Sequence, residues 1–169
     1  MRQQKNGKSS LSGEAFWRFS LAFYARPGMA DALIALQDRA GLDVNLMLFA
    51  LWRGALHGQR LHASEMRAAE AAIAPLRREI VAPLRALRRR LNAEGDADIQ
   101  VLRRRILGLE LAAERTVQLR LAAIVASPES DADRRAAAEA NLVLYLGAEA
   151  PSAEAMLLCR GLRDFLSRD

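Results

Sequence analysis

No stretch of this chain alternates apolar and polar side chains at period two, and β-branched residues are scarce. A half-buried strand needs that alternation, so a sheet is excluded as the main architecture. Apolar residues recur instead at three- and four-residue spacing, among abundant Ala, Leu, Arg and Glu. Those residues are strong helix formers, and the spacing lays an apolar stripe along one side of a helix. The fold is therefore read as all-α, a single compact domain of about six to seven helices over residues 13–169. Residues 1–12 are polar and rich in Ser, Gly and Gln, and are expected to form a disordered tail. At 169 residues, 51% apolar and 27% charged, the chain has enough apolar surface for one core of its own.

Glycines and prolines mark the boundaries. A first helix is expected over residues 12–24, ended by Arg26-Pro27-Gly28. A second follows over Met29–Ala40, with Met29, Leu33, Leu36 and Ala40 inward and Gly41 closing it. A third starts at an Asp43 cap and ends at His57; it is apolar nearly all round, which places it at the centre. The fourth spans residues 64–91, with Pro75 and Pro83 expected to kink it. Its inward line reads Leu76, Ile80, Leu84, Leu87 and Leu91. The fifth spans residues 97–126, with a seam of Ile99, Leu102, Ile106, Leu109 and Ala113. The short connection 92–96 predicts a long antiparallel hairpin of the fourth and fifth helices. Ser127-Pro128-Glu129-Ser130 breaks the chain before a sixth helix over 131–146. A last helix over 152–166 should turn Met156, Leu157, Leu162 and Phe165 inward.

Four groups of side chains are candidates for chemistry or contact. Gln37, Asp38, Asp43 and Asn45 set two carboxylates and two amides within nine residues. They suit a metal ion or a small polar ligand, or else a cap for the third helix and a salt bridge from Asp38 to Arg39 or to an arginine of the fourth helix. Glu110 and Glu114 share a helix face, and the expected partners are Arg85, Arg88 or Arg89 across the hairpin. No Glu-x-x-His motif accompanies them, so no metal and no cofactor is assigned. Residues 77–120 hold eleven basic and six acidic side chains, net +5. Their arginines, Arg89, Arg104 and Arg105 among them, are expected to gather at the hairpin tip. A basic tip suits an acidic protein partner, or nucleic-acid phosphates, although no nucleic-acid-binding motif is present. The aromatic residues of the first and third helices read as core, with Trp17 and Tyr24 as the exposed pair.

The blocks FWRFSLAFYARPGM and LIALQDRAGLDVNLMLFALW resemble a small bacterial family of uncharacterised conserved helical proteins. PLRALRRRL at 83–91, ELAAER at 110–115 and NLVLYL at 141–146 resemble its later blocks. The resemblance implies one cytoplasmic helical domain and brings no reaction, cofactor or catalytic residue. The single Cys159, the lack of a signal-like N-terminus and the lack of an apolar run near ~18 residues agree with a cytoplasmic chain that does not span a membrane. The expected function is an interaction or adaptor protein working through the arginine tip and the first helix. The alternatives are a ligand-binding protein or enzyme with a polar pocket among the first five helices, and nucleic-acid binding through the tip.

Overall fold

The computed structural model describes residues 3–124 and 133–167, with side chains from residue 13 onward. Among the described residues eight α-helices follow one another: α1 (Gln3–Tyr24), α2 (Met29–Ala40), α3 (Val44–His57), α4 (Ala63–Leu76), α5 (Ala82–Leu91), α6 (Ala97–Ile124), α7 (Arg134–Leu146) and α8 (Ala153–Leu166). No strand occurs among the described residues, so the fold is all-α. The expected helix start near Ser12 is corrected to Gln3, because α1 runs into the segment read as tail. The expected end of the fifth helix at residue 126, the break at 127–130 and the sixth helix's start at 131 fall outside the described residues. Within them, α7 opens on Asp133, whose carboxylate accepts from the Arg135 and Ala136 N–H groups.

Helix α3 is the hub. Residues from Asn45 to Ala55 are all buried. Asp43 caps it by accepting from the Asn45 and Leu46 N–H groups. The preceding reversal uses Gly41 at φ 68, where a side chain would strain the backbone. On one side, Phe16 of α1 stacks on Trp52 at 4.8 Å and meets Phe49 edge-on at 6.0 Å. On the other side α7 makes the most extensive helix contact in the molecule. That contact exists because position 54 lacks a side chain: a Cβ on Gly54 would overlap the Ala137–Ala138 backbone. Asn141, 1% exposed, locks the same interface. Its amide donates to the Ala50 and Gln59 carbonyls and accepts from the Leu61 N–H. Exposed Arg39 ties α2 to the start of α8 through Glu149 and Glu154.

Four inward lines differ from expectation; on α2 the end residue Ala40 is exposed and Ala32 is buried instead. A π-helical turn at Arg77–Val81 joins α4 to α5, with the Ala82 N–H reaching back to the Arg77 carbonyl. It lies between Pro75 and Pro83, neither of which has an N–H to offer. One extra residue in a turn rotates everything beyond it by ~100°. Val81 takes the inward place, while Ile80 and Leu87 are exposed. On α6 the buried line is Ile106, Glu110, Ala113, Val117 and Leu121, so Leu102 and Leu109 of the expected seam face outward. On α8, Leu158 is inward and Met156 is exposed. Among the described residues no helix is long and apolar enough to cross a membrane.

Replacing Gly54 with Ala should force α3 and α7 apart and lower stability by about 1–3 kcal/mol, as overpacking does. Urea midpoints of the two proteins check this; an unchanged midpoint would disprove the close approach.

Candidate functional site

Helices α1, α2, α3, α5 and α6 enclose a cleft of about 300 Å³. Each helix contributes by its own periodicity. Helix α1 presents Trp17, Ser20, Leu21 and Tyr24 at steps of three, one and three. Helix α6 presents Leu107 and Leu111 beside Glu110, Glu114 and Gln118, the last three exactly one four-residue step apart each time. Helix α5 adds Arg85, Arg88 and Arg89; α2 adds Ile34 and Gln37; α3 adds Val44, Asn45 and Leu48. The result has an apolar wall and a polar floor, the usual build of a small-molecule site.

The floor is one connected network. The Arg85 guanidinium donates to Glu110 Oε1 at 3.2 Å, to Gln37 Oε1 at 3.0 Å and to Glu114 Oε1 at 2.5 Å. Arg88 donates to Glu110 through Nε at 2.5 Å and a terminal nitrogen at 3.3 Å. The Asn45 amide donates to Glu114 Oε2. Because that nitrogen is fixed as the donor, Asn45 Oδ1 must accept, and it does so from Gln118 Nε2 at 2.9 Å. Gln118 Oε1 is thereby left as a buried acceptor with no partner among the described residues, and the Ser20 hydroxyl has none among them either. The two residues are 2% and 3% exposed and both line the cleft. An orphaned buried polar group costs about 1–3 kcal/mol.

The two carboxylates are driven apart. Burial dominates at Glu114 and lifts its carboxyl above the ordinary 4.5, against the Asn45 hydrogen bond and the Arg85 charge. Burial also lifts Glu110, but hydrogen bonds from Arg88 and Arg85 outweigh it and hold that carboxyl below 4.5. A pair separated in this way can hold one fixed negative charge and one exchangeable proton in a single cleft.

Of the residues singled out in the sequence, Gln37, Asn45, Arg85, Arg88, Glu110 and Glu114 converge here, with Trp17, Tyr24 and Arg89 at the border. Asp43 does not line the cleft; its carboxylate caps α3 and meets Arg77 at 3.4 Å. Asp38 also lies outside, half exposed, and its partner is Arg89 at 3.6 Å rather than Arg39. Arg104 and Arg105 are exposed on α6 and do not reach the cleft. The arginine set is thus divided: Arg85 and Arg88 neutralise buried carboxylates instead of joining an open basic tip. As expected, Phe16, Phe19 and Phe23 of the first helix are in the core, and Tyr24 is exposed. Sequence reasoning missed Ser20, Gln118 and the apolar wall. A signal existed for two of them: Gln118 continues the Glu110–Glu114 step, and Ser20 sits three residues after Trp17. Among the described residues no group of His, Cys, Asp and Glu is arranged to hold a metal ion.

Arg85→Ala should leave Glu110 and Glu114 short of a counter-charge and cost about 3 kcal/mol, as removal of one partner from a buried pair does. Arg89→Ala, at an exposed ion pair, should barely move the denaturation midpoint. Equal effects of the two changes would refute the network. A second expectation concerns pH. The folded state holds the Glu114 proton more tightly than the unfolded chain, so its contribution to stability falls as pH rises from 4.5 through the raised value. The Glu110 contribution has the opposite sign: it is present above 4.5 and is lost as pH falls through the depressed value. In Glu114→Gln the decline above 4.5 should vanish while the acid-side loss remains. Denaturation midpoints measured from about pH 3 to about pH 8 check both arms.

No curated protein and no solved structure matches this chain. One family model matches, over residues 15–121, which takes in the whole cleft; its description is a protein of unknown function (DUF2390). The match covers more than half of the chain, and the chain belongs to that family.

Proposed function

We propose that the protein binds a small amphipathic ligand in the cleft between α1, α2, α3, α5 and α6. The observation that carries this reading is a cleft of about 300 Å³ in which apolar side chains of α1 and α6 face a network of charged and amide groups that includes Gln118. The apolar wall, with Leu21 and Leu111 about half exposed, would cover the ligand's body. The floor network would hold its polar end, with both carboxylates already satisfied by Arg85, Arg88 and Asn45.

A second reading is an interaction protein, and the outer face of α6 favours it. Leu102 is 46% exposed and Leu109 60%, seven residues apart on one side of the helix. Such a face suits a partner helix. The nucleic-acid alternative rests on Arg89, Arg104 and Arg105, of which only Arg89 borders the cleft.

Native mass spectrometry on gently purified protein separates these readings. The ligand reading expects a small added mass that persists on the wild type. It should be absent from Leu107→Trp, which fills the cleft from an exposed position. A small mass retained equally by both proteins would place the guest elsewhere and remove the reading. A stoichiometric protein partner with no small mass would favour the interaction reading.

A further inference from the structure

Resting on that cleft reading, we infer that the ligand is a small monocarboxylate with an apolar body and one hydroxyl or N–H donor. Three features of the cleft define this class: its charge, its open hydrogen-bond positions and its size. With both carboxylates ionised, Arg85, Arg88 and Arg89 line the cleft against Glu110 and Glu114, an excess of one positive charge. Arg89 is the loosely held cation: its pair with Asp38 is at 3.6 Å, both side chains are more than half exposed, and Asp38 is outside the cleft. An exposed pair of that kind is weak and gives way to a better acceptor.

The open hydrogen-bond positions on the floor are donors. Arg88 gives Nε and one terminal nitrogen to Glu110, which leaves its other terminal nitrogen facing no protein acceptor among the described residues. Gln37 accepts from Arg85 through its oxygen, so its amide nitrogen is also a donor. The floor therefore takes an oxygen acceptor, and a carboxylate matches a guanidinium in shape and charge. A phosphate monoester, near two negative charges, would exceed the single positive excess beside two carboxylates. Gln118 ends the same network, eight residues along α6 from Glu110, and its Oε1 can only accept, so a ligand group that reaches it must donate there. About 300 Å³ accommodates on the order of ten non-hydrogen atoms if each occupies about the volume of a water molecule.

The test is a titration of the full-length protein with 3-(4-hydroxyphenyl)propionate, read by tryptophan fluorescence, to which cleft-lining Trp17 contributes, and by amide chemical shifts. Its neutral carboxamide, 3-phenylpropionate and octyl phosphate are the comparisons. The acid should bind best. The carboxamide and the dehydroxylated acid should each be weaker by roughly tenfold, the usual loss for a hydrogen bond to a charged or buried partner. Arg88→Gln should weaken the acid without weakening the carboxamide. Because Arg88 also neutralises Glu110, Arg89→Gln is the second variant; it leaves the floor intact and should weaken the acid by about threefold at low salt. Carboxamide and acid binding alike would overturn the monocarboxylate while the cleft reading stands. Tighter binding of octyl phosphate would overturn it in favour of a dianion. No binding by any of the four, together with no retained small mass on the wild type, would remove both.

Discussion

Everything in this molecule is arranged about the contact between α3 and α7. Two helices ordinarily pack 8–10 Å apart because side chains separate their axes. Here Gly54 faces the Ala137–Ala138 backbone with nothing between, and Asn141 closes the polar ends of the contact against Ala50, Gln59 and Leu61. Helix α3 is thereby committed on one side. Its opposite side, with Phe49 and Trp52, must be covered by α1, and Phe16 does so. Its first turn, carrying Val44, Asn45 and Leu48, is then the back of the cleft.

The cleft follows from the way α6 meets this hub. The inward line of α6 carries a carboxylate, Glu110, where a leucine would ordinarily sit, and Glu114 and Gln118 follow at the same spacing. Buried carboxylates need compensation, and the arginines that supply it come from α5. The π turn between Pro75 and Pro83 sets which face α5 turns inward: beyond it Leu87 is exposed while Arg85 and Arg88 meet α6. A regular helix through this region would put the leucine line on α6 instead. The floor of the site is thus tied to an irregularity some residues away from it.

Much of the site was legible as residue types. Gln37, Asn45, Arg85, Arg88, Glu110 and Glu114 stood out because amides, carboxylates and arginines interrupt apolar helical stripes. Their pairing across α5 and α6 was also readable from spacing and opposite charge. What misled the reading was the assumption that leucine marks the inward face. Leu102 and Leu109 fit a three-four repeat as well as Ile106 and Ala113 do, and nothing local says that Glu110 is buried and Leu109 is not. Asp38 and Asp43 looked like site residues for a similar reason; proximity in sequence brought them near Asn45, but the turn at Gly41 sends Asp38 to the surface and Asp43 to a helix end.

By itself the sequence determined the helices and most of their limits. Helix propensity, three-four apolar spacing, Asp43 as a cap and Gly41 and Pro27 as stops are local properties, decided within a turn or two of chain. The tertiary structure alone decided which faces meet. The rotation of α5 depends on a π turn, the burial of Glu110 on an arginine twenty-two and another twenty-five residues away, and the isolation of Gln118 Oε1 on a hydrogen-bond chain that starts at Arg85 and passes through Glu114 and Asn45. Such outcomes depend on the distances between helices, and a one-dimensional pattern carries spacing along a helix but not distance between helices.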